Sequence, residues 1–222
     1  MRSQVLRVKS VDHTGASVLI VFEQGTGVVL PAIPDFIAAL TVEEGELVDV
    51  AYEPLENTWR WHEFMQRATE IRPLRAIASS SMTRGVFRLE GDDVLAVARR
   101  MRYSKGVDPA LATYAAYAYN DLQRGDLIRE ISAYMRDDIG TPFFDVAMLA
   151  REIDDTKVAR GSEIFSFVPL LAQGWALLSA YRISLPQSLS GLPSTLVPSL
   201  WTMFNAAGVR QIRGIIDSGG VR

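Results

Sequence analysis

The sequence predicts an α+β fold, with a small antiparallel β-domain over residues 1–55 followed by a mostly α-helical domain over residues 56–222. Short branched and aromatic apolar runs, divided by glycine and proline, fill the first part. From Trp59 onward apolar residues recur at spacings of three and four, the period of a helix with one buried face. A composition of 48% hydrophobic and 22% charged residues over 222 positions suits an ordinary globular chain with a sizeable core.

Ser17–Glu23 (SVLIVFE) reads as the first clear strand, with a turn at Gln24-Gly25-Thr26-Gly27 before Val28-Val29-Leu30. Pro31 and Pro34 bracket a corner. Phe36–Val42 and Glu46–Tyr52, joined through Glu43-Glu44-Gly45, form the strongest hairpin pattern. Its second strand places Glu46, Asp49 and Glu53 among Leu47, Val48, Val50 and Tyr52, which predicts one wet face. Four to six strands are expected in all.

Glu53–Asn57 reads as a linker, with Asn57 or Thr58 capping a helix whose inner face carries Trp61, Phe64, Met65 and Ala68. Pro73 is expected to start or kink the following helix. Asp92–Met101 is another helix. Asp108–Leu122 and Asp126–Met135 make a helical hairpin around Gln123-Arg124-Gly125. Asp108-Pro109 and Thr141-Pro142, 33 residues apart, each pair a capping residue with a proline suited to the first helical turn. That spacing suits short tetratricopeptide-like hairpins; with a single clean unit, an irregular bundle is the other arrangement.

Residues 164–209 contain a single charge, Arg182. Such a stretch belongs in a core, under a partner or in lipid. Prolines at 169, 186, 193 and 198, with serines between them, argue against a membrane span. The expected elements are a buried helix over Phe167–Tyr181, a connection, a helix around Ser199–Ala207 and a last helix over Val209–Ile216.

Composition narrows function. A net charge of −3 gives no concentrated positive surface for nucleic acid. Residues 1–55 hold eight acids against three bases, so the acidic charge lies in the β-part. There is no cysteine, which removes thiol nucleophiles, disulfides and thiolate metal sites and is compatible with a cytoplasmic setting. The N-terminus has no apolar run of signal-peptide length.

His62-Glu63 lacks the second histidine of a zinc motif, and His13 is the other imidazole, so neither metal nor cofactor is expected. Ser79-Ser80-Ser81 has no G-x-S-x-G context. Asp92-Asp93 and Asp154-Asp155 are candidates for acid–base chemistry, although Asp92-Asp93 also suits a helix start. Tryptophan and tyrosine are the usual anchors of protein interfaces. On that ground Trp59, Trp61, Tyr114, Tyr117 and Trp201 are the candidate partner-binding residues. Trp59 and Trp61 stand at the strand–helix junction; Trp175 and Trp201 also suit a core.

PLLAQGWALLSAY, LVPSLWTMF and VFEQGTGVVLPAIPDFIAAL resemble regions lying C-terminal to caspase-like (metacaspase-type) peptidase domains in bacterial proteins. The resemblance covers most of the chain and rests on packing and turn residues. It implies an accessory or regulatory region tied to stress or defence. No catalytic residue carries over, because the family's cysteine has no counterpart here.

The expected function is therefore non-catalytic protein recognition or regulation, with a protein partner and no nucleic acid. The alternatives are an enzyme using carboxylate or serine chemistry in an interdomain cleft, with Asp154 or Asp155, and a membrane-active effector acting through residues 164–209.

Overall fold

The computed structural model describes residues 16–83, 86–153 and 166–218. Antiparallel strands at the start are followed by a mostly helical region, as the sequence predicts. β1 (Ala16–Val21) and β2 (Gly27–Ala32) form a hairpin across the expected turn, where Gly25 takes a φ of 83°. β3 (Phe36–Glu43) and β4 (Glu46–Pro54) form the second hairpin. Its tip carries Glu44 and Gly45 at φ 51° and 88°, the paired left-handed residues that match the twist of a tight hairpin.

The predicted wet face of β4 does not exist. Leu47, Val50, Ala51 and Tyr52 are buried and Asp49 is half-buried, because α1 and α3 cover this strand.

α1 (Trp59–Ser80) starts where predicted: the Thr58 hydroxyl accepts from the Trp61 amide. It runs through Pro73 as one helix instead of restarting there. Its buried positions are Arg60, Ile71, Leu74 and Ala78, so the inner face is rotated from the expected one and Met65 is exposed. The short hairpin β5 (Met82–Thr83) and β6 (Val86–Phe87) leads to α2 (Val94–Ser104).

α3 (Ala110–Asp121) and α4 (Gly125–Ile139) form the predicted helical hairpin. Asp108 caps α3 through the Ala110 amide, and α3 is buried from Ala110 to Tyr119. Among the described residues no second unit follows. Thr141-Pro142 is followed by extended Phe143, and α5 (Phe144–Leu149) is a short helix, so the region is an irregular bundle.

Asp145 on α5 fastens the next segment. Its carboxylate accepts from the Tyr117 hydroxyl at 2.6 Å and from the amides of Leu170 and Leu171. Burial pushes Asp145 up to about 6, and those donors limit the rise.

The charge-poor stretch is buried in the fold: Val168, Leu171, Leu189, Leu192, Leu200, Trp201 and Phe204 are almost wholly covered. Its secondary structure differs from expectation. α6 (Gly174–Ala180) is short, the region around Pro186 and Pro193 forms 3-10 turns, and the predicted Ser199–Ala207 helix is absent. In its place stand β7 (Leu196–Val197) and β8 (Met203–Phe204). α7 (Ala206–Asp217) begins at Asn205, whose side chain accepts from the Ala207 and Gly208 amides.

β8 pairs with β2, giving one sheet in the order β1-β2-β8-β7. The two ends of the chain therefore share a sheet. Val28, Leu30 and Met203 enter the main core, while Val29 and Phe204 enter a second core under α7. This is the period-2 alternation of strands covered on both faces. Gly27 allows the close approach of α7, since a Cβ there would lie 2.8 Å from Val209 Cγ2 and from the Ile20 carbonyl oxygen. A boundary at residue 55 divides strand from helix locally, but the main core runs across it from Val28 to Met203. No described helix is long and apolar enough to cross a membrane.

Candidate functional site: an aromatic and cationic face

The start of α1, the end of α2 and the last turns of α4 meet on one face. Arg60, buried beneath it, fixes their relation. Its guanidinium donates to Asp138 Oδ2 at 2.6 Å, to Asp138 Oδ1 at 3.1 Å and to the Gly106 carbonyl at 3.0 Å. Arg67, two helical turns on, donates to the Tyr103 carbonyl at 2.8 Å and the Ser104 hydroxyl at 2.8 Å. These arginines tie α1 to the α2 C-terminus and to α4, and Arg60–Asp138 is a shielded pair with geometry suited to orientation.

Four aromatic rings here each meet a cation. Arg60 lies 4.5 Å from the Trp59 ring centroid and 5.5 Å from that of Phe36. Arg102 lies 5.0 Å from Tyr103, and Lys105 Nζ lies 3.8 Å from Tyr134. Such contacts are worth about 0.5–1 kcal/mol at exposed sites and hold the rings in place. Trp59 is 62% exposed and Tyr103 59%, so both remain available to another molecule.

Beside Tyr103 and Tyr134 lies a cleft of about 330 Å³, lined by Arg102, Tyr103, Lys105, Glu130 and Tyr134. Arg102 Nη1 donates to Glu130 at 2.5 Å. Burial lowers the Lys105 ammonium from its ordinary value; Arg102 adds to the effect, while Asp138 and Glu130 oppose it. Burial, assisted by Asp138, pushes the Tyr134 hydroxyl up to about 12. Gly106 leaves room for that hydroxyl, since a Cβ there would stand 2.5 Å from it.

The predicted partner-binding residues divide sharply. Trp59 stands on this face. Trp61 is half-buried and stacks on Phe64 with centroids 5.7 Å apart. Tyr114, Tyr117 and Trp201 are corrected to core residues, at 1%, 3% and 0% exposure. Tyr114 packs between Phe87 and Trp201, and Tyr117 is bound to Asp145, so none can present its ring to a partner while the fold is intact. Trp175 is half-buried and donates to the Thr202 hydroxyl at 3.0 Å.

Sequence reasoning did not single out Tyr103, Lys105 or Tyr134 as site residues. The signal was present in Arg102-Tyr103-Ser104-Lys105-Gly106, a tyrosine between cations at a helix end.

A second polar cluster lies inside the fold. Arg75 Nε donates to Asp108 Oδ2 at 2.6 Å and Nη1 to Glu53 at 3.1 Å, while Asp108 Oδ1 accepts from the Tyr52 and Ala110 amides. Burial raises Asp108, opposed by Arg75. Burial and neighbouring Asp108 push Asp49 up to about 6. Asp49 Oδ1, the Tyr114 hydroxyl and Trp201 Nε1 are buried without hydrogen-bond partners in the structure.

The remaining candidates stay apart. His62 Nδ1 meets the Thr58 carbonyl, and Ser80 bonds back to Ile77 at the end of α1. Asp92 and Asp93 are exposed before α2. His13, Asp154 and Asp155 lie outside the described residues. Among the described residues, no three acids or histidines gather as metal ligands. Comparisons with protein-family models, curated proteins and solved structures find no match to this chain.

Proposed function

We propose that this chain is a non-catalytic module that recognises a protein partner through the face formed by Trp59, Tyr103 and Tyr134. The observation that carries the reading is the exposure of Trp59 and Tyr103, each ring held by an arginine, with half-buried Tyr134 under Lys105 in the cleft beside Tyr103. Tryptophan, tyrosine and arginine are the residues most enriched among interface hot spots. Rings already fixed by buried arginines lose little conformational freedom on binding, which leaves more of the contact energy as affinity.

The resemblance noted from the sequence makes a caspase-like peptidase, or a protein it cleaves, the first partner to test. A chain without cysteine suits work in a reducing cytoplasm.

The direct test places a photo-crosslinking amino acid at position 59, 103 or 213 of the full chain, expressed in its native cell. Arg213 is an exposed control on α7. The reading expects one and the same protein adduct from positions 59 and 103 and none from 213. Adducts formed equally from all three positions, or from 213 alone, count against it.

A further inference from the structure

The cations of the face differ in how completely they are engaged. Arg60 is bound to Asp138, and Arg67 lies within ion-pair distance of Glu63 and Glu70. Arg102 reaches Glu130 through Nη1 and the Tyr103 hydroxyl through Nη2, but its buried Nε–H meets no acceptor in the structure. Lys105 is half-buried and has no ion pair among the described residues; its ammonium lies over the Tyr134 ring. A buried donor and an incompletely compensated ammonium thus line the same cleft.

Leaving such groups unmatched is costly. A buried donor without an acceptor costs roughly 1–3 kcal/mol, more where it is charged. Burial and the nearby positive charge of Arg102 already disfavour the charged form of Lys105. A carboxylate entering the cleft reverses that imbalance: it neutralises Lys105 beside the Arg102 guanidinium, while the Tyr103 and Tyr134 rings flank its aliphatic stem. The cleft, at about 330 Å³, has the volume for one acidic side chain.

We infer that the cleft receives an aspartate or glutamate side chain presented by the protein partner, with Lys105 and Arg102 as its recognition groups. This rests on the protein-binding reading and adds the chemistry that the partner must carry. Trp59, beyond the Arg60–Asp138 bridge, contributes an apolar contact beside the acidic anchor.

The test is a phage-displayed library of random linear peptides panned on the full chain, followed by fluorescence polarisation with synthesised hits. Enriched peptides are expected to share an acid at one position. Replacing it by its amide is expected to weaken binding by roughly ten-fold or more, as loss of a shielded charge partner does. Lys105→Gln is expected to produce a similar loss and Lys105→Arg to retain most binding.

A variant outside the proposed pair guards against misfolding: Glu130→Gln frees Arg102 and is expected to tighten acidic peptides several-fold. Its side chain is 63% exposed, so the fold has little need of it. Peptides lacking a shared acid, insensitive to Lys105→Gln but weakened by Trp59→Ala, overturn this inference while leaving the protein-binding reading intact. No enrichment on the folded chain overturns both. Binding that persists when the acid is replaced by its amide also overturns the inference.

Discussion

The buried junction around Asp108 and the exposed face around Lys105 are built from the same residue types: arginine, carboxylate, tyrosine and tryptophan. At the junction, Asp108 is wholly buried and has two backbone amides and the Arg75 guanidinium around it. Its bonding is completed by α1, β4 and α3 themselves. On the face, Arg60 is similarly completed by Asp138 and Gly106, but Lys105 ends over a tyrosine ring and Arg102 Nε has no acceptor. The difference is one of saturation. Asp108 and Arg60 find their partners within the chain, whereas Lys105, at the edge of an open cleft, has bonding capacity left for another molecule.

Breaking the junction is the largest expected perturbation. Arg75→Ala leaves Asp108 buried beside Tyr52 without its counter-charge, and such a loss costs about 3–5 kcal/mol. Urea unfolding reads it directly as a lower midpoint at unchanged slope. A loss below about 1 kcal/mol would show that water already compensates Asp108, and the junction would then differ from the face only in degree.

A smaller effect comes from acid. Asp49 and Asp145 both stand near 6, above the roughly 3.9 of an unfolded aspartate. Between those values the folded chain holds more protons than the unfolded one. The sign is therefore fixed: their contribution to stability is complete below the unfolded value and is lost as pH rises through about 6. The urea midpoint is expected to rise from about pH 7 to about pH 5, by the equivalent of roughly 1 kcal/mol for Asp49 after allowing for its partial exposure. Asp49→Asn should flatten that slope. An unchanged slope would remove Asp49 from the junction's electrostatics.

How far the sequence revealed this arrangement depended on the range of the forces involved. The β3–β4 hairpin was legible because Glu44-Gly45 carries its turn locally. Thr58 and Asp108 were legible as caps because a cap bonds within three residues of itself. β7 and β8 were not: Leu196–Val197 and Met203–Phe204 are two residues each and are strands because β2 lies alongside. Read alone, SLWTMF has an apolar content that fits helix or strand equally.

The site was legible only at Trp59. Trp201 was a candidate for the interface that suited a core better, and its burial comes from Tyr114 and from Leu171, which bridges to it across thirty positions of chain. Lys105 and Tyr134 are brought together by α2 and α4, whose packing no local period encodes.

The Tyr114 hydroxyl sharpens the comparison from within the core. It is buried and meets the Trp201 indole N–H only outside regular hydrogen-bond geometry, so Tyr114→Phe removes a poorly matched polar group while preserving the ring contacts with Phe87 and Trp201. Stability is expected to stay level or to rise by up to about 1 kcal/mol. A clear loss in the same urea titration would mean that the hydroxyl is satisfied by solvent and that the junction is more completely bonded than its direct contacts show.

Trp59→Ala has only a small expected effect on the fold, although it deletes the largest side chain on the face. The ring is 62% exposed, and the guanidinium above it is held independently by Asp138 and Gly106. What the fold loses is one exposed cation–π contact, about 0.5–1 kcal/mol. If Trp59 is an interface anchor, the same substitution weakens the partner complex by more, about 2 kcal/mol or above. Measuring both quantities on one variant separates the two kinds of aromatic residue. A stability loss of several kcal/mol would place Trp59 with Trp201 as part of the fold's own packing, and the distinction between the junction and the face would fail at the face's most exposed residue.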